Sequence, residues 1–144
     1  MKIMSVIAAT MVIATSVSGC ASKTNETHDQ SINIEKMNIG ATAAVSGLYT
    51  YGHEVSVFSP CKVDKHYWAV ASGADTIMQR LNNASLAKAD AIGKPYQSVF
   101  TMLDIKKLPP AKEGFAEDYD GLIDVVAIKK IENSIPESCP DLNP

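Results

Sequence analysis

The spacing of hydrophobic positions changes several times along this chain, and each change marks an element. Ile3 to Val17 is apolar or small throughout, a run of 15 residues. That falls short of the roughly 20 needed to span a bilayer. It suits the apolar region of a signal peptide, with Lys2 as the positive flank. Ser22 to Ser31 is polar without periodicity and buries too little surface to offset its ordering entropy. Ile32, Ile34, Met37 and Ile39 add only a weak alternation, so residues 20–44 read as a tether, with a short lead-in strand as the alternative. Folded patterning begins at about residue 45. Leu48–Phe58 is rich in aromatic and β-branched residues and predicts a strand, bent at Gly52. His66–Ala71 predicts a second strand, hairpinned to the first. Ala74, Ile77, Met78, Leu81 and Ala84 then recur on a helical period. Ser72 and Asp75 have capping-box spacing at the helix start, and Gly93 with Pro95 stops it near Ile92. Tyr96–Ile105 predicts a third strand, Lys106–Asp120 a polar loop, and Gly121–Ile131 a last strand able to bend into two. Four or five strands and one helix predict a mainly β domain. A small, partly closed barrel under one covering helix fits best, with an open sheet as the alternative.

The four residues that close the apolar N-terminal run change its meaning. Val17-Ser18-Gly19-Cys20 resembles the lipobox of bacterial lipoproteins, where small side chains admit the backbone to the peptidase and the cysteine thiol takes the lipid. The resemblance implies cleavage of residues 1–19, lipid on Cys20, and a membrane partner reached through that lipid. Ala21 stands where an aspartate would favour inner-membrane retention, which implies the outer membrane with the domain facing the periplasm. Taking residues 1–19 from 144 leaves 125, room for one domain. Losing Lys2 turns 13 Lys+Arg against 16 Asp+Glu, net −3, into 12 against 16, net −4. Without a basic stripe, and with export, nucleic acid is excluded as a partner.

Of the three cysteines, Cys61 and Cys139 remain after Cys20. In an oxidising compartment they read as one disulfide, closing a long loop and contributing about 4 kcal/mol on the chain-entropy model. A pair of thiolate metal ligands is the alternative, disfavoured by the lack of a Cys-x-x-Cys.

Several of these residues together are similar to a known family. Gly47-Leu48-Tyr49-Thr50-Tyr51, Val57-Phe58 shortly before Cys61, Lys65-His66-Tyr67-Trp68-Ala69-Val70, the helix, Pro95 before a strand and the terminal Cys139 follow one pattern. It resembles the C-terminal OB-fold domain of the NlpE outer-membrane lipoproteins, which are tied to copper homeostasis and surface sensing. The resemblance covers residues 47–139. It implies a small OB-like, five-stranded barrel over residues 45–144, stapled by a Cys61–Cys139 disulfide. The separate N-terminal barrel of that family, with its Cys-x-x-Cys motif, has no counterpart here, so its copper and signalling roles do not carry over.

Candidate chemistry is sparse. His53 and His66 fall on strands predicted to pair and are weak metal candidates with Glu54 or a methionine, a donor set suited to copper. No His-x-His or Met-rich run supports them, and His28 lies in the tether. Ser72 precedes a glycine without a Gly-x-Ser-x-Gly motif. Glu117, Asp118 and Asp120 flank Tyr119 in a loop and read as a solvated cluster before a calcium or acid–base site. Tyr49, Tyr51, Tyr67 and Trp68 are candidates for a ligand-stacking face of the kind OB-folds use, or else barrel core. The expectation is a non-enzymatic, membrane-anchored interaction or envelope stress-sensing module without a cofactor, its partner another envelope protein. The alternative is a small copper- or ligand-binding lipoprotein.

Overall fold

Side chains alternating between two faces need a second layer to cover the apolar one, and here the sheet covers itself by closing. The computed structural model describes residues 32–140. In it the chain forms β1 (Thr42–Gly52), β2 (Val55–Pro60), β3 (Tyr67–Val70), α1 (Asp75–Ile92), β4 (Val99–Leu108) and β5 (Gly121–Glu132). The strands close in the order β1-β2-β3-β5-β4, and β4 pairs back to β1. Every neighbouring pair is antiparallel except β3 with β5, which run parallel. A parallel pair needs a long crossover, and α1 with β4 supplies it. The architecture is mainly β with one helix, a small OB-like barrel whose ring is closed rather than partly open.

The interior is filled by the inward positions of that alternation. Tyr49, Phe58, Tyr67, Leu103, Ile105, Ile123 and Val125 are almost wholly buried, with Leu81 entering from the helix. At Gly47 an added Cβ would lie 2.5 Å from the Phe58 ring and 2.5 Å from the Ser59 carbonyl oxygen. Only a residue without a side chain fits there. One polar chain crosses the core: the Tyr49 hydroxyl donates to Asn82 Oδ1 at 2.6 Å and lies 3.0 Å from Ser56 Oγ, which donates to the Ala69 carbonyl at 2.8 Å. Burial pushes the Tyr49 phenol up to about 12, so it stays a donor at neutral pH.

The helical stripe is where the spacing places it, with Leu81 buried and Ile77, Met78 and Ala84 half-buried against the barrel. Gly93 ends the helix with a left-handed φ of 73° and returns its amide to the Ala89 carbonyl. The expected capping box is not formed. Ala74 is the N-cap, and the Ser72 amide donates to Asp124 Oδ1 of β5 at 2.7 Å, which holds Ser72 outside the helix.

Two other expectations are corrected. The folded chain begins well before residue 45, because Ile34 is 1 % exposed in the core and Ile32 and Met37 pack against it. A one-turn 3-10 helix, Ile34–Lys36, holds it, and Lys107 Nζ donates to the carbonyls of Glu35 and Met37 at 2.7 and 2.9 Å. The weak alternation there marks a plug, not a linker. The single strand expected over 48–58 is a hairpin, turned at His53-Glu54 with a left-handed φ of 57° at Glu54. The last strand stays whole, since two irregularities in its register with β4 absorb the bend. α1 lies by the Val99 end of β4 and the Ile34 segment by its Leu108 end, so the two cover opposite mouths of the barrel.

Cys61 and Cys139 form the disulfide, joining the end of β2 to the C-terminal tail. Together with Ile135 it covers Leu48 and Phe100 on the outside of the wall.

Two variants test the plug and the staple by urea unfolding of the full chain. Ile34→Ala should cost about 2–5 kcal/mol, the range for emptying a buried isoleucine site; a change within error would return residues 32–41 to the tether. Replacing Cys61 and Cys139 by serine should cost about 2–5 kcal/mol as the long loop is freed. An unmoved midpoint would deny the staple.

Candidate functional site

Because Tyr49, Ser56 and Phe58 point inward, their neighbours on β1 and β2 point out. Leu48, Thr50, Val55, Val57 and Ser59 therefore floor a groove on the outer wall, with a volume of about 560 Å³. Its sides come from five places: Lys88 of α1, Tyr96-Gln97-Ser98 before β4, His66 before β3, Tyr119 before β5, and Ile135 of the tail.

The polar groups of the groove are held by short bonds. Thr50 Oγ1 lies 2.8 Å from Ser98 Oγ, and Ser59 Oγ lies 2.7 Å from His66 Nδ1. Lys88 Nζ donates to the carbonyls of Ser98 at 2.6 Å and Asn133 at 2.8 Å. An ammonium has three donors, so one is left over. Among the described residues, no aspartate or glutamate lines the groove and Lys88 forms no ion pair.

Two loops are fixed at the rim by one carboxylate. Asp120 Oδ2 accepts from the His66 amide at 2.8 Å, and Asp120 Oδ1 accepts from Lys65 Nζ at 2.8 Å. Lys65 also pairs with Glu35 at 3.2 Å, so its ammonium sits well above the usual lysine range. Partial burial works against the Asp120 charge. The Lys65 ammonium and the His66 amide outweigh it and hold the carboxyl below its ordinary value. This clasp brings the segments of His66 and Tyr119 together at the groove. Tyr119 leans on Trp68 with ring centroids 5.4 Å apart, and burial, with the Asp118 charge adding, raises its phenol.

Tyr96 forms the far wall. Its backbone is left-handed at φ 57°, a strained conformation for a residue with a side chain, and its ring occupies the space Gly52 leaves. A Cβ at Gly52 would come within 2.3 Å of that ring. Behind it lies a second hollow of about 490 Å³, between the β1–β2 turn and the end of α1.

The residues singled out from sequence are scattered by the fold. Tyr49 and Tyr67 are core, with burial and then the Glu35 and Asp120 charges pushing the Tyr67 phenol up to about 12. Tyr51 packs against the core, and only Trp68 turns outward, so the four make no stacking face. His53 sits in the β1–β2 turn, 86 % exposed and 3.4 Å from Glu54, whereas His66 stands beside Ser59 at the other end of β2. They cannot share a metal. Among the described residues no group of three or more His, Cys, Asp and Glu is placed to hold one. Glu117 and Asp118 are exposed in a short 3-10 turn, Phe115–Asp118, and Asp120 is engaged with Lys65. Cys20 and His28 lie outside the described residues.

Ser59, His66 and Asp64 have the composition of a hydrolytic triad but not its conditions. Asp64 is 85 % exposed and 3.8 Å from His66 Nε2, too far to orient the ring by a hydrogen bond. The groove's main determinants, Lys88, Tyr96 and Tyr119, carry no signal in the sequence beyond the Gly93-Lys94-Pro95 break before Tyr96. Compared with family models, curated proteins and solved structures, the chain matches none.

The Asp120 clasp has a pH signature. A carboxyl held below its ordinary value of 3.8 stabilises the fold above that pH and loses the contribution as pH falls through the folded value. The gap in urea midpoint between wild type and Asp120→Asn should therefore be present at pH 7 and shrink below about pH 4. A gap independent of pH would refute the clasp.

Proposed function

We propose that this chain is a non-enzymatic sensing module of the bacterial envelope that acts by binding, with the outer groove as its binding site. Lipid on Cys20 holds it at the outer membrane, the barrel faces the periplasm, and its kinship is with the NlpE lipoproteins. The observation that carries the binding role is the groove itself. Its volume lies within the 300–1,000 Å³ usual for small-molecule sites. Leu48, Val55 and Val57 give its floor an apolar part, and polar groups converge on it from separate elements. It stands on a closed barrel stapled by a disulfide, which keeps those groups in register without help from the ligand.

Binding is favoured over catalysis because the only nucleophile–base pair in the groove, among the described residues, has an exposed and distant carboxylate behind it. Turnover of a chromogenic acetyl ester that disappears in Ser59→Ala would overturn the non-enzymatic reading. No described helix is long and apolar enough to cross a membrane, so the proposed lipid is the anchor this reading needs.

Fractionation tests the address, and a reporter tests the role. The wild-type chain should sediment with outer membranes, and a Cys20→Ala form given a conventional cleavage site should be soluble in the periplasm. At matched protein level, only the lipidated form should raise an envelope-stress reporter. Sedimentation unaffected by Cys20→Ala would remove the lipid, and a silent reporter with both forms would remove sensing.

A further inference from the structure

From the charge distribution around the groove we infer its ligand class: a small monocarboxylate with an apolar, preferably aromatic, body, anchored by Lys88. The inference rests on the groove being a binding site and adds what it binds.

The chain carries a net charge of −3, yet among the described residues the groove has no carboxylate on its walls. Lys88 brings a formal positive charge into this acid-free hollow. Its ammonium is already fixed by the Ser98 and Asn133 carbonyls, so little side-chain freedom is lost when an anion arrives. Those bonds take two of its three donors and leave the third. Thr50 and Ser98 share one hydroxyl hydrogen bond at 2.8 Å, which uses one of their two protons. The other proton remains to be donated. Lys88 and the Thr50–Ser98 hydroxyl pair line the same groove, and a cationic N–H with a hydroxyl O–H is the donor pair that the two oxygens of a carboxylate accept.

The rest of the groove limits what is attached to that carboxylate. One lysine, without an arginine or a second lysine on the walls, balances one negative charge and not the two of a phosphate monoester. Val55, Val57 and Leu48 offer an apolar floor, with the Tyr96 and Tyr119 rings on its sides. A ring or short hydrocarbon fits between them.

Trp68 is the one tryptophan of the chain and rests on Tyr119, so its emission reports on the groove. The full chain is titrated with phenylacetate, 2-phenylethanol and phenethylamine, which share a ring and differ in charge. Wild type should bind phenylacetate roughly tenfold more tightly than 2-phenylethanol, the scale of one charge-assisted hydrogen bond, and phenethylamine least. Lys88→Met should bring phenylacetate down to the level of the alcohol, and Lys88→Arg should keep the preference. Because Lys88 also ties α1 to Ser98 and Asn133, melting temperatures are compared first. Should Lys88→Met fail to fold, the wild-type ranking and Lys88→Arg decide. Equal binding of the acid and the alcohol, or a preference that survives in Lys88→Met, overturns the ligand class and leaves the groove as a binding site. No emission change with any of the three at millimolar concentration overturns both.

Discussion

The barrel exists because β1 serves two hydrogen-bonded ladders at once. Thr42–Tyr49 pairs with β4 and Gly47–Gly52 with β2, so Gly47, Leu48 and Tyr49 are bonded on both edges. A strand that changes partners along its length must bend sharply into the core. The bend brings its inward face against Phe58, and the missing side chain of Gly47 is what permits that approach. Closure then leaves no open edge among the five strands. The same three residues divide the tasks of the wall. Tyr49 reaches inward to α1 through Asn82, and Leu48 faces out into the groove and under the disulfide.

Core and groove are therefore two faces of one sheet. Ser56 and Phe58 belong to the interior, and Val55, Val57 and Ser59 between them belong to the site. The helix joins the two as well. Ser85 is buried, accepts the Tyr51 amide at 3.0 Å and donates to the Gln97 carbonyl at 2.7 Å. One turn further, Lys88 holds the Ser98 carbonyl. Buried polar contacts of this kind fix the position of a helix more sharply than apolar packing does. The segment that carries Tyr96 into its strained backbone is thus pinned immediately after the strain.

Period is legible in the sequence; partnership is not. The helical spacing of Ile77, Met78 and Leu81 and the twofold alternation of Thr101, Leu103 and Ile105 are local, and both survive in the structure. The hairpin turn at His53-Glu54 is hidden because neither residue is a usual turn former, and apolar patterning runs through on both sides. Ile34 is hidden because a one-turn plug has no period. The four aromatics suggest a face because they cluster in sequence. Tyr67 and Trp68 are adjacent on a strand, though, and adjacent residues point to opposite sides. The groove depends on residues as far apart as Leu48 and Ile135, brought together by closure and by the disulfide. No spacing in the sequence announces that.

The plug at Ile34 gives the molecule a mechanical character. Tension arriving from the N-terminal side reaches Ile34 and the Lys107 and Lys65 contacts before it reaches β1. Beyond them it meets β1, which is paired to β4 from Thr42 and bonded on both edges at Gly47–Tyr49. The lead-in is the first described segment that such tension meets, and its roughly ten residues span up to ~3.5 Å each when drawn out.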